Sequence, residues 1–131
     1  MILVDTSVWI DLLAAKPRRE LPEEYLHRFV TCAPVIQEVL QGLRPGMQSD
    51  AFRMAFLALP IVSDPVPVRL CVSAADIYRQ GKRRGITIRS SVDCLIAAIA
   101  IEHGTTVWHR DRDFAAIAAY TPLQVFEGDL L

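Results

Sequence analysis

Four acidic residues stand among apolar neighbours at widely separated points of the chain. They are Asp5, Glu38, Asp93 and Asp111. Carboxylates are rarely buried unless they are paired, and the only lysines, Lys16 and Lys82, are not close to any of the four in sequence. A shared divalent cation would explain such groups, and sites made only of oxygen ligands suit Mg²⁺ or Mn²⁺. The residue types therefore predict a hard-cation site.

The predicted elements bring these acids together. A short apolar run at residues 2–4 is typical of a strand buried on both faces of a parallel sheet, and Asp5 follows it directly. The strand predicted at residues 105–108 precedes Asp111 by a short segment. Asp93 falls in the first turn of an apolar helix at residues 92–103, which we expect to be the buried central helix. Because ligands collect outside the carboxyl ends of parallel strands, we expect the acids to meet at that edge.

The rest of the chain alternates helices with short strands. Apolar periodicity, caps, prolines and glycines predict further helices near residues 6–13, 22–29, 34–43, 50–59, 68–84 and 114–119, and further strands near residues 29–32, 61–63, 105–108 and 123–126. Ser49 or Asp50 is expected to cap the fourth of these helices, and Gly85 to end the fifth. The alternation predicts a three-layer α/β/α sandwich around a mainly parallel sheet, formed by residues 1–131 as one domain.

Composition narrows the class of protein. Hydrophobic residues make up 52% of the 131 residues and charged residues 22%, with a mean hydropathy of +0.27, so the chain can bury a sizeable core. The apolar start is interrupted by Asp5 and Asp11 and has no basic segment before it, which excludes a signal peptide or membrane span. We therefore expect a cytoplasmic protein. Three cysteines without a C-x-x-C pair, Cys32, Cys71 and Cys94, are expected to be core residues rather than disulfide or zinc ligands.

The net charge of −1 gives no general attraction to a polyanion, so any nucleic-acid contact must use a local patch. The strongest basic cluster consists of Arg79, Lys82, Arg83, Arg84 and Arg89. It could guide an RNA backbone, or it could be a solvated helix end favoured by the helix dipole.

Each acid also has a structural explanation. Asp93 and Asp111 could be helix N-terminal residues favoured by the macrodipole, and Asp5 could cap the helix that begins at Thr6. Glu38 could lie on a solvated face. The expectation that all four meet at one edge favours the metal site over four separate explanations.

Four segments, in order and over essentially the whole chain, carry a resemblance to a known family. They are DTSVWID at residues 5–11, EVLQG at 38–42, SVDCLIAA at 91–98 and HRDRDF at 109–114. They resemble the four acidic motifs of the PIN-domain family, and particularly of VapC-like toxins of type II toxin–antitoxin systems. The resemblance implies an endoribonuclease that uses Mg²⁺ or Mn²⁺ to hydrolyse RNA phosphodiester bonds and is inhibited by a cognate VapB-like antitoxin.

The resemblance implies catalytic roles for the four acids. We assign Asp5 and Asp93 as central metal ligands, Asp111 as a direct or water-mediated ligand, and Glu38 as the group that holds or deprotonates a metal-bound water. Four further residues are placed around them as supporting or substrate-contacting groups: Ser7, Asp113, Arg110 and Arg112. Ser7 could orient a ligand or the scissile phosphate, or could simply cap a helix. Asp111 is ranked ahead of Asp113 as the direct ligand, and His109 is expected to be structural.

Two rival classes remain open from the residues. A phosphoryl-transfer enzyme resembling the haloacid-dehalogenase family would use Asp5 as nucleophile, but it needs a second acid two residues later, where this chain has Ser7. It also needs a later active-site lysine, which is not evident in this chain. A phospho-accepting receiver domain needs an active-site lysine too, and that lysine is likewise not evident. The second rival is a non-catalytic binding module in which the acids hold a structural cation.

A homodimer is also predicted. Trp9, Phe29, Phe52 and Phe56 supply more large apolar side chains on short elements than one small core would need. The family resemblance points the same way.

Overall fold

The computed structural model describes residues 1–13 and 23–126. In these ranges the chain forms β1 (Ile2–Val4), α1 (Thr6–Leu12), α2 (Glu23–Leu26), β2 (Phe29–Val30), α3 (Ala33–Gln41), α4 (Met47–Leu57), α5 (Val68–Arg83), α6 (Ser91–His103), β3 (Thr106–Trp108) and α7 (Arg112–Ala118). The order alternates strands with helices as predicted. No described helix has the length and apolar character that crossing a membrane requires.

The strands form a parallel sheet with the order β2-β1-β3. Ile2 lies opposite Phe29 on one side and Thr106 on the other, and Val4 lies opposite Trp108. All three residues of β1 are fully buried. Because successive side chains of a strand point to opposite faces, both faces of β1 are covered. The predicted α/β class with a parallel central sheet is confirmed.

Helix α6 is the buried central helix, as predicted. Residues 96–100 are 0–4% exposed, and the helix packs against α3, α5, α7 and β3. Gly104 ends it in the left-handed conformation, with φ of 63°, which glycine adopts at no steric cost. The apolar surroundings fix the first turn of α6, where Asp93 lies.

The aromatic residues that suggested a dimer surface pack inside the protein. Ring centroids are 5.2 Å apart for Trp9 and Phe56, 6.1 Å for Trp9 and Phe29, and 5.4 Å for Phe52 and Phe56. Trp9, Phe29 and Phe56 are buried. The inference that they exceed the needs of the core was therefore wrong, because they cover one another.

Several element boundaries differ from the predictions, most clearly those of one helix and two strands. Helix α4 begins at Met47, after Gly46, and not at Ser49 or Asp50. The predicted strands at residues 61–63 and 123–126 are reduced to single parallel bridges, Thr31 with Ile61 and Val107 with Val125. In the segment at residues 61–63, Ser63 adopts a φ of 60°, which ends the extended conformation.

Cys71 was wrongly predicted to face inward. The buried residues of α5 are Leu70, Ala74, Ile77 and Gly81, a stripe of helical spacing that leaves the Cys71 side chain exposed. Cys32 and Cys94 are buried as predicted. The predicted start of the second helix at Pro22 lies outside the described residues. Phe29, which was predicted both in this helix and as the first residue of a strand, belongs to β2.

Candidate metal centre

Asp93 lies at the centre of the acidic site. It is in the first turn of α6, is 6% exposed, and its Oδ2 atom has no hydrogen-bond partner among the described residues. The pKa of its carboxyl is raised to about 8, first by burial and then by the nearby charges of Asp5, Asp111, Asp113 and Glu38, in that order. The other four acids therefore all lie close enough to act on Asp93.

Asp111 and Asp113 lie at the start of α7, which follows β3. Asp111 is the N-cap of α7, and its Oδ1 accepts a hydrogen bond from the backbone N–H of Asp113 at 3.1 Å. Asp113 is buried, and its Oδ2 accepts from the backbone N–H groups of Arg89, at 3.1 Å, and Ser90, at 3.3 Å. One carboxylate oxygen from each of Asp93, Asp111 and Asp113 lies within 4.8 Å of the other two.

Asp5 is held at the same edge by the sheet. Its backbone N–H donates to the carbonyl of Trp108 at 2.9 Å, which joins the end of β1 to the end of β3. Its side chain is buried, and Oδ2 accepts from the backbone N–H of Ser7 at 3.1 Å and from Ser7 Oγ at 2.6 Å. Asp5 lies outside the group of three. Among the four neighbouring acids, however, its charge has the largest effect on the pKa of Asp93.

Glu38 reaches the site from α3. Its Oε1 accepts from Thr6 Oγ1 at 3.2 Å, so α1 and α3 are linked beside Asp5. Burial raises the pKa of Glu38 above its usual value; the Thr6 hydrogen bond opposes the rise and the charge of Asp5 adds to it. Glu38 is therefore a half-buried acid at the border of the cluster, on the Asp5 side.

Ser7 and Arg110 connect two parts of the site. Ser7 Oγ donates to Asp5 and accepts from the backbone N–H of Arg110 at 3.0 Å. The side chain of Arg110 forms an ion pair with Asp11, with Nε 2.9 Å from Oδ2. Arg112, the first residue of α7, is exposed. The hydroxyl of Ser7 is thus engaged on both sides within the protein, and the Arg110 guanidinium pairs with an acid of α1.

His109 borders the cluster as a neutral group. Burial lowers the pKa of its imidazole, and this exceeds the opposing effects of a backbone hydrogen bond at Asp111 and of the nearby acids. Its ring lies 5.3 Å from that of Phe114. The packing agrees with the predicted structural role.

The structural explanations for Asp5 and Asp111 hold alongside the cluster. Both residues cap helices, each through a single oxygen, Oδ2 of Asp5 and Oδ1 of Asp111. Capping therefore leaves the second oxygen of each carboxylate available for another ligand. The hydrogen bonds from Arg89 and Ser90 to Asp113 were not predicted. The signal for them was the start of the predicted helix at residues 92–103, which brings free backbone N–H groups to this point.

Comparison with known proteins identifies the family. The PIN domain model matches residues 2–120. Ribonuclease VapC11 of Mycobacterium tuberculosis is 40% identical over 132 residues, which cover 95% of this chain and 96% of VapC11. The chain belongs to the PIN domain family. The predicted resemblance to this family, and to its VapC ribonucleases, is confirmed.

Solved structures place the PIN domain of this chain in the same fold. VapBC-1 from nontypeable Haemophilus influenzae superposes with a TM-score of 0.68 at 19% identity, covering 96% of this chain and 97% of that one. VapC20 of Mycobacterium tuberculosis, described as a Sarcin-Ricin loop cleaving toxin, gives 0.65 at 22% identity, covering 95% and 99%. The order of strands and helices around the acidic edge is therefore that of a PIN domain.

Proposed function

We propose that this PIN domain is a metal-dependent endoribonuclease toxin that hydrolyses RNA phosphodiester bonds and is inhibited by a cognate antitoxin. The observation that carries the proposal is the grouping of Asp93, Asp111 and Asp113, with Asp5 beside them, at the carboxyl ends of parallel strands. The 40% identity to Ribonuclease VapC11 supports RNA as the substrate.

The cluster fits a hard divalent cation. The buried Asp93 Oδ2 without a partner and the raised pKa of Asp93 both indicate negative charge that the described residues do not compensate. The donor set is made of carboxylate oxygens, which suits Mg²⁺ or Mn²⁺ better than zinc. We propose Asp5, Asp93 and Asp111 as the residues that hold it. Asp113 is close enough to join them, and the ranking of Asp111 first stays a prediction.

The bound cation would supply an activated water and neutralise charge on the phosphoryl group. In this chain, Ser7 fixes the orientation of the Asp5 carboxylate through its short hydrogen bond. The backbone N–H groups of Arg89 and Ser90 fix Asp113 in the same way. We therefore propose Ser7 as a positioning residue rather than a contact to the scissile phosphate.

We propose that Glu38 accepts the proton of the attacking water. A carboxyl with a pKa above its usual value is a better proton acceptor near neutral pH. Burial raises the pKa of Glu38 in this direction. Thr6 holds its Oε1 and leaves Oε2 without a described hydrogen bond. Transfer of phosphate to the protein is not part of this route, which distinguishes it from a phospho-accepting domain with Asp5 as nucleophile.

Cleavage assays test the proposal. Purified protein should cleave RNA in Mg²⁺ or Mn²⁺ and stop on chelation, and Asp5→Asn or Asp93→Asn should abolish cleavage because the amide removes charge and ligand strength. Asp50→Asn, at an exposed position on α4, is the matched control and should cleave like the wild type. Activity that survives in excess EDTA after repurification would contradict the metal mechanism. Folded Asp93→Asn that still cleaves would contradict the assignment of the site.

We also propose a VapB-like antitoxin as partner and a cytoplasmic location. The VapBC-1 neighbour, whose name pairs VapB with VapC, supports the first. Large apolar side chains are exposed on α1 and α4, among them Ile10, Met47 and Met54, and offer surface for a partner to cover. Copurification of the chain with the product of a small adjacent gene, and loss of RNA cleavage in that complex, would test the partner.

A further inference from the structure

A cleft between α5 and α6 lies at the end of α6 that carries Asp93 and has no role in the chemistry proposed above. Its volume is about 400 Å³, and it is lined by Cys71, Ala74, Ala75, Tyr78, Arg79, Ser91, Cys94 and Leu95. The lining is almost entirely apolar, with one aromatic ring and one guanidinium. Volumes of this order are typical of sites for small ligands or single groups.

The cleft and the acidic cluster share the first turn of α6. Ser91, which lines the cleft, lies two residues before Asp93 in the first turn of the helix. The preceding residues Arg89 and Ser90 bind Asp113 through their backbone N–H groups. One short segment thus forms part of the cleft and part of the catalytic edge, so a ligand in the cleft would lie at the same end of α6 as the metal site.

Three arginines stand on the segments that form the cleft, and we refer to them as its basic rim. Arg79 lines the cleft, Arg83 lies one helical turn further along α5, and Arg89 directly precedes the Ser90–Ser91 segment. Within residues 1–13 and 23–126, none of these arginines forms an ion pair with a carboxylate. All three are exposed. Lys82 and Arg84 instead lie over the rings of Tyr78, at 5.7 Å, and Tyr120, at 5.6 Å.

We propose that the α5–α6 cleft binds one unstacked base of the RNA substrate, while Arg79, Arg83 and Arg89 bind the flanking phosphates. This inference rests on the proposed function, because it takes the polyanion at the neighbouring site to be RNA. An apolar slot with an aromatic ring accepts the face of a base, and arginines on its rim match the backbone charge. A partner protein would find the same apolar slot but would gain nothing from these three positive charges unless it were acidic.

The test measures binding separately from cleavage. A fluorescein-labelled single-stranded RNA of about twelve nucleotides, within the range of common single-strand sites, is titrated with protein in EDTA, where cleavage is not expected. Ala75→Trp fills the cleft and should weaken binding about tenfold, the loss of one stacked base. Val72→Trp adds the same side chain to an exposed position of α5 that does not line the cleft, and should bind like the wild type. Cys71→Trp, from the exposed end of the lining, should repeat the result of Ala75→Trp and guards against misfolding of one variant.

The base and phosphate contributions are separable. In a series of RNAs with one abasic nucleotide at each position, one position should weaken wild-type binding about tenfold and should not weaken Ala75→Trp further. Arg79→Ala and Arg89→Ala should each reduce the slope of log affinity against log salt by about 0.7. Arg53→Ala, at an exposed position on α4, should leave the slope unchanged.

The outcomes separate this inference from the proposed function. Cleft-dependent RNA binding without any metal-dependent cleavage would support the cleft and contradict the nuclease. Normal RNA binding by folded Ala75→Trp and Cys71→Trp, in a protein that cleaves RNA, would overturn the cleft and leave the nuclease intact. A change in oligomeric state on light scattering, without a change in RNA affinity, would also overturn it and identify the cleft as a contact between two copies of the chain.

Discussion

At the scale of single residues, the carboxyl of Asp93 connects the chemistry of the site to the stability of the protein. It is buried beside four other acids and lacks a partner for Oδ2 among the described residues. The folded metal-free protein therefore holds a proton on this group more tightly than the unfolded chain does. A cation that takes the place of that proton removes the same unfavourable interaction, so metal binding and protonation compete.

The pH dependence of stability follows from this carboxyl. Its contribution is fully present below the unfolded pKa of about 4 and is lost as the pH rises towards the folded pKa of about 8. In EDTA, the free energy of unfolding of the wild type should fall across this window, and Asp93→Asn should show a flatter profile. Urea denaturation at a series of pH values measures both. Asp50→Asn should keep the wild-type profile, and identical profiles for wild type and Asp93→Asn would contradict the prediction.

Neutralising an acid should have opposite effects with and without metal. Near neutral pH in EDTA, Asp93→Asn and Asp111→Asn should melt at a higher temperature than the wild type, because clustered carboxylates repel. Both should lose the increase in melting temperature that Mg²⁺ gives the wild type, since the ion binds the folded state. Asn is as good an N-cap as Asp, so Asp111→Asn preserves the cap of α7. Lower melting in EDTA with an unchanged Mg²⁺ increment would show that these residues act only as helix ends.

The hydroxyl of Ser7 should matter for activity without contacting the substrate. Ser7→Ala removes the 2.6 Å hydrogen bond to Asp5 and the acceptor for the backbone N–H of Arg110. We expect the Mg²⁺ concentration for half-maximal cleavage to rise, or the rate to fall, by about tenfold or more, as is usual for groups that orient metal ligands. Ser7→Thr keeps the hydroxyl and should retain most of the activity. Equal activity of both variants would assign Ser7 a capping role only.

At the scale of elements, the packing of residue 120 against α5 depends on the absence of a side chain at Gly81. A Cβ there would lie 2.7 Å from the hydroxyl of Tyr120 and 3.1 Å from the carbonyl oxygen of Ile86. Gly81→Ala should therefore destabilise the protein by about 1–3 kcal/mol in urea denaturation, a typical cost of overpacking.

A double-mutant cycle separates the two contacts at this position. Tyr120→Phe removes the hydroxyl, together with its 2.8 Å hydrogen bond to the carbonyl of Ile77, and should cost about 1 kcal/mol by itself. In the Tyr120→Phe background, Gly81→Ala should cost less than it does in the wild type, because the closest contact is gone. Strict additivity would show that the carbonyl of Ile86 decides the cost.

Elements with a strong apolar pattern were the predictable part of the fold. The sequence predicted α6 and the parallel arrangement around β1 because each contains a run of buried apolar residues. Pairing at the sheet edges was less predictable, because the single bridges at Ile61 and Val125 depend on which backbone groups of the neighbouring strand are free to pair. The same holds for the site. The acids at strand ends were predicted from position, whereas the hydrogen bonds to Asp113 depend on how two distant loops meet.

At the scale of the whole molecule, charge is segregated although the net charge is only −1. The acids gather at the carboxyl edge of the sheet, and a basic rim follows from the end of α5 to the start of α6. A polyanion would be repelled by the first region and attracted by the second. A cation held by the acids would offset part of the negative charge of the first region and allow both regions to contact the same RNA strand.

The homodimer stays a prediction that rests on the family resemblance, since the aromatic residues first taken to support it pack internally. Light scattering should give twice the mass of the 14.6 kDa chain at tens of micromolar, a concentration that detects associations of about micromolar affinity. A monomer at that concentration would contradict the dimer. The Ala75→Trp variant should give the same mass as the wild type if the α5–α6 cleft is free in the dimer.

The positions of the two tryptophans give the protein an intrinsic optical reporter. Trp9 follows Asp5 by one helical turn and Trp108 precedes Asp111 by three residues, and each indole is only 6% exposed. Both should therefore emit at short wavelength, shielded from a dissolved quencher such as iodide. Since Trp108 ends β3 and Trp9 lies in the helix that Asp5 caps, rearrangement of the acids around an ion would change the surroundings of these rings. Fluorescence emission can thus follow events at the catalytic edge without an attached dye.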